Sequence, residues 1–486
     1  MTPVQLLIGG NLQNAANGAT FERRNPLDDS VATVAAAASA ADCTAAADAA
    51  AQAFPAWSAT GPATRREHLM RAAQELKARA PALCAAMARE TGASALWAGF
   101  NIQLAAGMLL EAGALTTQIS GEVIPSNVPG SLAMAMRVPA GVVLGIAPWN
   151  APLALGVRAL AVPLACGNTV VFKGSEQCPE THALIVEALN AAGLPPGVLN
   201  FITNAPEQAA EVVETLIAHP RVRRVNFTGS THVGRRIALL CAQHLKPAVL
   251  ELGGKSPLLV LDDADIDAAV AAARFGAFAN SGQICMSSER IIVDERIADE
   301  FVNKLATTSA ALAVADPRET GGRPSPLGAV IGRGTVDRCN ALIDDALAKG
   351  ATLACGGKGT TLMMGATVLD HVRPDMQAYT DESFGPVKPV IRVSGDEAAI
   401  ACANDNAYGL SAAVFSRDLA RAWRVAQRIE SGMCHINGPT VQDEPQMPFG
   451  GLKGSGYGRF GGKAGIDAFT ELRWMTVQTE PRHYPF

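Results

Sequence analysis

A chain of 486 residues exceeds what a single hydrophobic core usually supports, so two or three domains are expected. Its 49% hydrophobic and 17% charged content is typical of a compact globular protein and excludes a disordered or fibrous one. The net charge of −5, without a dense run of Lys and Arg, argues against nucleic acid or an anionic membrane as a partner.

The ten cysteines are scattered without a Cys-x-x-Cys pair, and the eight histidines form no His-Glu-x-x-His motif. This spacing favours neither a disulfide framework nor a zinc site, so we expect no bound metal and a reducing, cytoplasmic compartment. The N-terminus has no signal-peptide pattern, and prolines interrupt the most apolar region, 138–172. We therefore expect buried parallel strands joined by a helix there, not a membrane span.

The N-terminal part of the chain is Ala-rich, and residues 31–92 have helical character. Apolar residues recur at helical spacing in 45–54 and 65–80, and a further helical run reaches about residue 118. Residues 119–136 are predicted to be extended, with little core character of their own. This segment is interpreted as an arm that pairs with a partner subunit.

From residue 138 the pattern changes to alternating short apolar strands and helices. Strands are predicted at 141–147, 169–173, 198–201, 225–227 and 248–251, with helices at 153–165, 180–192, 207–219 and 230–243 between them. This order predicts a parallel, doubly wound sheet. Ligands of such sheets bind beyond the carboxyl ends of the strands.

A second α/β pattern follows residue 251. Its predicted strands are 257–261, 290–293, 387–392, 412–415 and 433–436, with helices at about 264–279, 297–313, 334–348, 395–404 and 418–430. The tail, 473–477, resembles a strand with nothing nearby in sequence to pair with. We expect it to need a sheet, either in its own chain or in another chain.

Two features at strand ends are suited to a dinucleotide. Gly229 and Ser230 open the helix after the fourth strand, where free N–H groups and the helix dipole favour a phosphate. Lys173 and Glu176 follow the second strand, where they could hold a ribose, and the carboxylate favours NAD over NADP. The alternatives are an ordinary strand-to-helix turn and a solvated Lys/Glu pair.

Three further residues could carry acyl-transfer chemistry. Glu251 ends the fifth strand, where burial would raise its pKa towards that of a general base; the alternative is an ion pair, for which Lys255 is the candidate partner. Asn150 closes the first strand and could stabilise an oxyanion, or simply cap a helix. Cys285 lies among small and polar residues and is either a nucleophile or a buried apolar residue.

The chain resembles the NAD(P)-dependent aldehyde dehydrogenase superfamily over nearly its whole length. The residues that carry the resemblance are Pro148-Trp149-Asn150, Gly167-Asn168-Thr169, Phe172-Lys173 with Glu176, Phe227-Thr228-Gly229-Ser230, Glu251-Leu252-Gly253-Gly254-Lys255, Gly282-Gln283-Ile284-Cys285, Glu382-Ser383-Phe384-Gly385-Pro386, Asn406-Ala407-Tyr408-Gly409-Leu410-Ser411 and Pro448-Phe449-Gly450-Gly451. It implies an α/β fold with a Rossmann-type cofactor domain, an α/β catalytic domain and a small β oligomerisation arm.

The resemblance implies that Cys285 is the nucleophile, Glu251 the general base and Asn150 the oxyanion donor. Its implied cofactor contacts, for NAD in preference to NADP, are Ile146, Trp149, Lys173, Glu176, Gly229, Ser230, Leu252, Glu382 and Phe384. The implied domains are 1–118 with 138–250 for the cofactor and 251–453 for catalysis. Segments 119–137 and 454–486 would form the contacts of a homodimer or homotetramer.

Two positions depart from the family pattern. Many members carry a Lys after the position of Arg158 and a Glu after Gly-x-Gly-Arg near the C-terminus, a pair thought to relay the base's proton. Here these positions hold Ala159 and Phe460. Glu251 is therefore expected to lose its proton by another route, through water.

The details resemble the branch that oxidises aromatic aldehydes such as salicylaldehyde, vanillin and benzaldehyde. The predicted pocket residues are Trp97, Ala151, Leu155, Arg158, Met286 and Phe449. Arg158 would bond a ring hydroxyl or a carboxylate, or else form an ion pair. The alternatives are a succinate-semialdehyde type of enzyme, a CoA-acylating enzyme and a catalytically silent homologue.

Overall fold

The computed structural model of the protein describes residues 2–316 and 327–486. The helices are α1 (Ala40–Ser58), α2 (Pro62–Ala78), α3 (Ala80–Thr91), α4 (Ala95–Leu115), α5 (Pro152–Ala165), α6 (Pro179–Ala191), α7 (Ala209–Ala218), α8 (Thr231–Gln243), α9 (Ile266–Phe278), α10 (Ala298–Ala310), α11 (Arg333–Ala348), α12 (Gln377–Thr380), α13 (Gly395–Asn404), α14 (Leu419–Ala426) and α15 (Gly462–Phe469).

The strands are β1 (Leu6–Ile8), β2 (Asn11–Gln13), β3 (Thr20–Arg24), β4 (Val31–Ala36), β5 (Glu122–Ile124), β6 (Ser131–Pro139), β7 (Val142–Ile146), β8 (Thr169–Lys173), β9 (Leu199–Ile202), β10 (Val222–Thr228), β11 (Ala248–Glu251), β12 (Ser256–Val260), β13 (Ser288–Asp294), β14 (Thr352–Cys355), β15 (Thr367–Asp370), β16 (Val387–Val393), β17 (Tyr408–Gly409), β18 (Ser411–Phe415), β19 (Met433–Ile436), β20 (Leu452–Lys453), β21 (Gly456–Tyr457) and β22 (Thr470–Gln478).

The first large sheet has the strand order β2-β1-β9-β8-β7-β10-β11-β21. Strands β9, β8, β7, β10 and β11 run parallel, which confirms the predicted doubly wound core. Antiparallel strands β1 and β21 extend it at its two sides. The apolar region 138–172 forms β7, α5 and β8 inside this sheet, as predicted.

The second large sheet has the order β14-β15-β16-β13-β12-β18-β19. Strands β12 and β13 are parallel and buried along their whole length, and their apolar runs 258–260 and 291–293 reflect burial on both faces. Strand β11 of the first sheet ends at Glu251, and β12 of the second sheet begins at Ser256. The short segment between them therefore lies where the two sheets meet.

One expectation about secondary structure was wrong, and the partner of the C-terminal strand, which the sequence left open, lies in the same chain. Residues Val31–Ala36 form strand β4 and pair with β3, although their Ala-rich sequence suggested a helix. The C-terminal strand β22 has a partner within its own chain, since it pairs antiparallel with β6 from Ser131 to Pro139. Strand β5 extends this into a three-stranded sheet with the order β22-β6-β5. Pairing between segments so distant in sequence cannot be read from local patterns.

Helix α4 is long and apolar enough, by length and composition, to cross a membrane. In the structure it packs against α2 and α5, and residues such as Leu104, Leu109 and Leu115 are buried there. Burial of this kind is typical of the core helix of a globular domain, whose apolar character serves packing.

Candidate active site

The turn before Cys285 is held in an uncommon backbone conformation. Asn280 and Ser281 have φ angles of 49° and 54°, in the left-handed region that residues other than glycine rarely adopt. Gly282 follows at φ 74°, and a Cβ atom there would lie 2.2 Å from the carbonyl oxygen of Gly385. The glycine of the Gly-Gln-Ile-Cys motif is thus required by space as well as by backbone conformation.

Gln283 fixes this turn to a neighbouring loop. Its side-chain nitrogen donates to the carbonyl of Asn280 at 3.1 Å, and its side-chain oxygen accepts from the backbone of Ile331 at 2.9 Å. Ser281 adds a bond to the carbonyl of Gly328 at 2.9 Å. These bonds hold the cysteine on a rigid turn, as a positioned nucleophile requires.

Glu251 ends β11 with a carboxylate that is almost fully buried, its residue being 1% exposed. Neither carboxylate oxygen has a close hydrogen-bond partner among the described residues. Burial raises the pKa of Glu251 to about 7, an effect opposed by the nearby Cys285 thiol, Arg158 and Thr228. The alternative ion pair with Lys255 is not formed, since Lys255 bonds Glu289 instead.

Cys285 and Glu251 influence each other's protonation. Burial, and then the negative charge of Glu251, raise the pKa of the Cys285 thiol well above its usual range. The thiol therefore carries its proton at neutral pH until a base removes it. Glu251, whose pKa of about 7 lies below that of the thiol, is placed to be that base.

Asn150 follows strand β7 and lies beside the turn that carries Cys285. Its side-chain nitrogen donates to the carbonyl of Gln283 at 3.0 Å, which uses one of its two amide hydrogens. The backbone carbonyl of Asn150 accepts from the indole N–H of Trp97 at 2.7 Å and from the side-chain nitrogen of Asn280 at 3.0 Å. The amide is thus fixed beside the turn that carries Cys285, with a second hydrogen left to donate.

The carboxyl ends of β8 and β10 present groups that fit a dinucleotide. Lys173 donates to Glu176 at 3.1 Å, and the two side chains are 7% and 26% exposed, so they are paired but the pair is not the solvated one of the alternative. Ser230 caps α8 by accepting from the backbone of Val233 at 3.3 Å. A Cβ atom at Gly229 would lie 2.4 Å from the ring of Phe227, so a side chain cannot fill this turn. An open helix N-terminus beside a carboxylate suits a phosphate and a ribose.

Glu382 and Phe384 lie across from the segment between the two sheets. The backbone N–H of Gly254 donates to Glu382 at 2.9 Å, and the ring of Phe384 meets Trp149 edge-on at 5.9 Å. Burial raises the pKa of Glu382 to about 7. Two other residues predicted to contact the cofactor, Ile146 and Leu252, are buried together beside the first sheet.

The predicted pocket residues share one apolar cluster. Trp97, Leu155, Met286 and Phe449 are buried in it, and Ala151 and Cys285 pack against it. Trp97 has the additional contact to Asn150 described above, so it supports the amide as well as the pocket. These residues are therefore part of the same core, and their roles in a substrate pocket stay predictions.

Arg158 forms the ion pair that was its alternative. Its partner is Asp443, which sequence reasoning missed, and the two side chains are 5% and 6% exposed. The guanidinium lies 4.0 Å from the centre of the Phe449 ring, and its second terminal nitrogen, Nη1, is buried without a hydrogen-bond partner among the described residues. An acid a few residues before Pro448-Phe449-Gly450-Gly451 was the only available sequence signal for Asp443.

The two positions that depart from the family pattern hold apolar side chains. Phe460 is buried, and its ring lies 6.4 Å from Phe469 and 5.8 Å from the guanidinium of Arg158. Ala159 is buried in α5 on the strand side. Neither residue can carry a proton.

Within the part of the chain that the structure describes, the histidines and cysteines form neither a metal site nor a disulfide bond. Among residues 2–316 and 327–486, no group of three or more His, Cys, Asp or Glu is arranged to hold a metal ion. Each of the ten cysteines lies in the described residues and is free. The candidate site therefore consists of the Cys285 thiol, the Glu251 carboxylate and the Asn150 amide, with groups suited to a dinucleotide at the strand ends.

Comparison with known proteins agrees with this geometry. Residues 13–475 match the aldehyde dehydrogenase family. A vanillin dehydrogenase of Pseudomonas fluorescens is 59% identical over 485 residues, covering 100% of both chains. A salicylaldehyde dehydrogenase of Pseudomonas sp. (strain C18) is 50% identical, covering 99% of each chain. The crystal structure of a salicylaldehyde dehydrogenase from Pseudomonas putida G7, complexed with salicylaldehyde, has a TM-score of 0.98 at 49% identity and full coverage of both chains. The chain therefore belongs to the aldehyde dehydrogenase family.

Proposed function

We propose that this protein oxidises an aromatic aldehyde to the carboxylic acid, with NAD preferred as acceptor, through a thioester on Cys285. The observation that carries the proposal is the meeting of the Cys285 thiol, the buried Glu251 carboxylate and the fixed amide of Asn150. Relatives over the full length of the chain are named for vanillin and salicylaldehyde, which supports an aromatic substrate.

The reaction begins with proton transfer from Cys285 to Glu251. The thiolate attacks the aldehyde carbon, and the carbonyl oxygen becomes an oxyanion that the free amide hydrogen of Asn150 and the backbone N–H of Cys285 stabilise. One such donor typically lowers the barrier by about 3 kcal/mol. When bound, NAD accepts the hydride that leaves this carbon.

The remaining thioester is hydrolysed in the second half of the reaction. The proton that Glu251 took from Cys285 first leaves to solvent, which restores the carboxylate. Glu251 then removes a proton from a water molecule, the resulting hydroxide attacks the thioester carbon, and Cys285 leaves as the thiolate. Because Ala159 and Phe460 replace the residues thought to relay this proton in other members, the proton of Glu251 leaves through water in this proposal.

The cofactor preference rests on the carboxylate beside the second strand. Lys173 and Glu176 would hold the adenosine ribose, Gly229 and Ser230 the pyrophosphate, Glu382 the nicotinamide ribose and Phe384 the ring. Glu176 would repel a 2′-phosphate, which favours NAD over NADP. Steady-state assays with both cofactors test this preference directly.

The Arg158–Asp443 pair bears on the semialdehyde alternative. In that alternative Arg158 would form an ion pair with the carboxylate of the substrate, but its guanidinium already forms an ion pair with Asp443. A second carboxylate beside Asp443 would be repelled in a buried site. A neutral aromatic ring with a hydrogen-bonding hydroxyl fits beside Phe449 without that penalty.

The expected substrate preference is a kcat/KM about tenfold or more higher for vanillin, salicylaldehyde or benzaldehyde than for succinate semialdehyde. Replacing Asp443 by asparagine removes the repelling charge, so the relative kcat/KM for succinate semialdehyde should rise several-fold. The measurement is a steady-state panel of these four aldehydes. Asp344→Asn, which breaks the exposed pair with Lys358, is the matched control and should change nothing.

A tenfold preference of the unmodified protein for the aliphatic acid would refute the aromatic assignment. An unchanged preference in the Asp443→Asn variant would refute the charge argument alone. Formation of an acyl-CoA in place of the free acid would indicate the CoA-acylating alternative.

We further propose that the protein is a homodimer or homotetramer in a reducing, cytoplasmic compartment. The proposal includes a cofactor domain of residues 1–118 and 138–250 and a catalytic domain of residues 251–453. The sheet β22-β6-β5 exposes large apolar side chains, with Trp474 80%, Val123 72% and Leu472 64% exposed. An exposed apolar sheet of this kind is typical of a subunit interface.

Charging this sheet should separate the subunits. The double substitution Trp474→Glu and Leu472→Glu places two carboxylates on one face of this sheet, and a fall in molar mass to that of one chain is expected by sedimentation velocity. Leu419→Glu, at an exposed leucine of α14, is the control and should leave the mass unchanged. An unmodified protein that sediments as a monomer would contradict the assembly proposal.

A further inference from the structure

A cluster of buried charges lies next to Glu382 and has no part in the mechanism above. Glu289 of β13 accepts from Lys255 at 3.0 Å and from Lys388 of β16 at 2.5 Å. The side chains of both lysines are 0% exposed, and that of Glu289 is 1% exposed. Buried charges are costly, so a cluster this complete calls for a physical reason.

The cluster forms hydrogen bonds to the residues on both sides of Glu382. Lys255 donates to the carbonyl of Asp381 at 2.5 Å, and Glu289 accepts from the backbone of Ser383 at 2.8 Å and from its hydroxyl at 2.5 Å. Lys388 donates to the same hydroxyl at 3.2 Å. The backbone on either side of Glu382 is therefore fixed by charge-assisted hydrogen bonds.

The charges of the cluster do not balance without Glu382. Two lysines and one glutamate leave one buried positive charge, and the carboxylate of Glu382 lies against Gly254, the residue before Lys255. Lys388 is the surplus charge, placed in a buried strand whose neighbours Val387, Val390 and Ile391 are apolar.

We propose that Lys388 is a positioning residue that, through Glu289 and Ser383, keeps Glu382 ionised and directed towards the cofactor. This inference rests on the proposed role of Glu382 at the nicotinamide ribose. An ionised carboxylate accepts hydrogen bonds from two ribose hydroxyls, whereas a protonated one must use an oxygen as donor.

The groups around Glu382 have opposing effects. Burial raises its pKa to about 7; Glu289 raises the pKa further, and Lys255 and Lys388 lower it. The other charged or titratable groups nearby are Cys285 on the nucleophile turn, Tyr408 on β17, the adjacent Asp381, the buried Arg290 of β13 beside Lys255, and Arg338 of α11, which donates to the carbonyl of Ser383. Removing Lys388 therefore removes one of two buried cations that favour the ionised form.

The test is the equilibrium Kd of NAD, measured by calorimetry without aldehyde from about pH 6 to about pH 9. Because the ionised form of Glu382 binds, the Kd of the unmodified protein should fall as the pH rises through about 7. In Lys388→Met this transition should move to higher pH, with a Kd at neutral pH about tenfold weaker for each unit of displacement. Lys388→Gln, which keeps hydrogen-bonding groups but no charge, should show the same displacement if the methionine variant does not fold.

The Glu382→Gln variant is the control background in which the Lys388 substitution is repeated. That variant should bind NAD more weakly with no pH transition near 7, and adding Lys388→Met to it should leave the Kd within about twofold. A folded Lys388→Met or Lys388→Gln protein with an unchanged transition would overturn the inference. If Glu382→Gln binds NAD as the unmodified protein does, the proposed ribose contact fails instead, so the two failures are distinguishable.

Discussion

Replacing Cys285 by alanine is expected to abolish aldehyde oxidation. Loss of a covalent nucleophile typically lowers kcat on the order of 10⁵-fold or more, because no other group can form the acyl intermediate. The pre-steady-state burst of NADH should disappear as well, since hydride transfer follows attack by the thiolate. Rapid mixing with NAD and vanillin, followed by absorbance of NADH, measures both quantities.

Cys84→Ala is the matched control for this substitution. Cys84 is also a free, half-buried cysteine, but it lies in α3, away from the candidate site. The control should retain the burst and the steady-state rate, and both variants should bind NAD with unchanged Kd. Aldehyde oxidation that survives in Cys285→Ala would refute the covalent mechanism, and no activity in the unmodified protein would favour the catalytically silent homologue.

Replacing Glu251 by glutamine should have the second largest effect, a fall in kcat of about 10²- to 10⁴-fold. Burial raises the pKa of Glu251 from 4.5 to about 7, and a general base acts only in its ionised form. The rate of the unmodified protein should therefore rise as the pH increases through about 7. In Glu251→Gln this acidic limb should be absent, because the side chain no longer titrates.

The measurement is the pH dependence of kcat/KM for vanillin, with Glu214→Gln as control. Glu214 is an exposed glutamate of α7, so its substitution should leave both the rate and the acidic limb unchanged. An acidic limb near pH 7 that persists in Glu251→Gln would assign the titration to another group and remove Glu251 from its proposed role.

The parallel core of the fold could be predicted from sequence because its strands are buried on both faces. Thr169–Lys173 and Ala248–Glu251 coincide with their predicted bounds, since continuous apolar runs end where the polar site residues begin. Strand β10 begins earlier than predicted, at Val222, because Arg223 and Arg224 hide its first residues from an apolar pattern. The family and the aldehyde dehydrogenase assignment are confirmed by the comparisons.

The remaining features depend on contacts between distant residues. Strand β1 exists because Leu7 pairs with Phe201 of β9, which no local pattern reveals. Arg158 and its partner Asp443 are 285 residues apart in sequence. Lys255 pairs with Glu289, although Glu251 is nearer to it in sequence. Sequence motifs located the thiol, the carboxylate and the amide, but only the folded chain shows which charge neutralises which.

The acyl intermediate on Cys285 is the most direct test of the account. Glu251→Gln lacks the base for both steps, but losing the Glu251 charge also lowers the pKa of the Cys285 thiol. The variant should therefore form the thioester slowly and hydrolyse it more slowly still, so prolonged incubation with vanillin and NAD should leave a vanilloyl group on the protein. Mass spectrometry of the quenched, digested variant should place the added mass on the peptide that contains Cys285, and Cys285→Ala in the same background should show none. An added mass on another residue, or none despite NADH formation, would contradict the account.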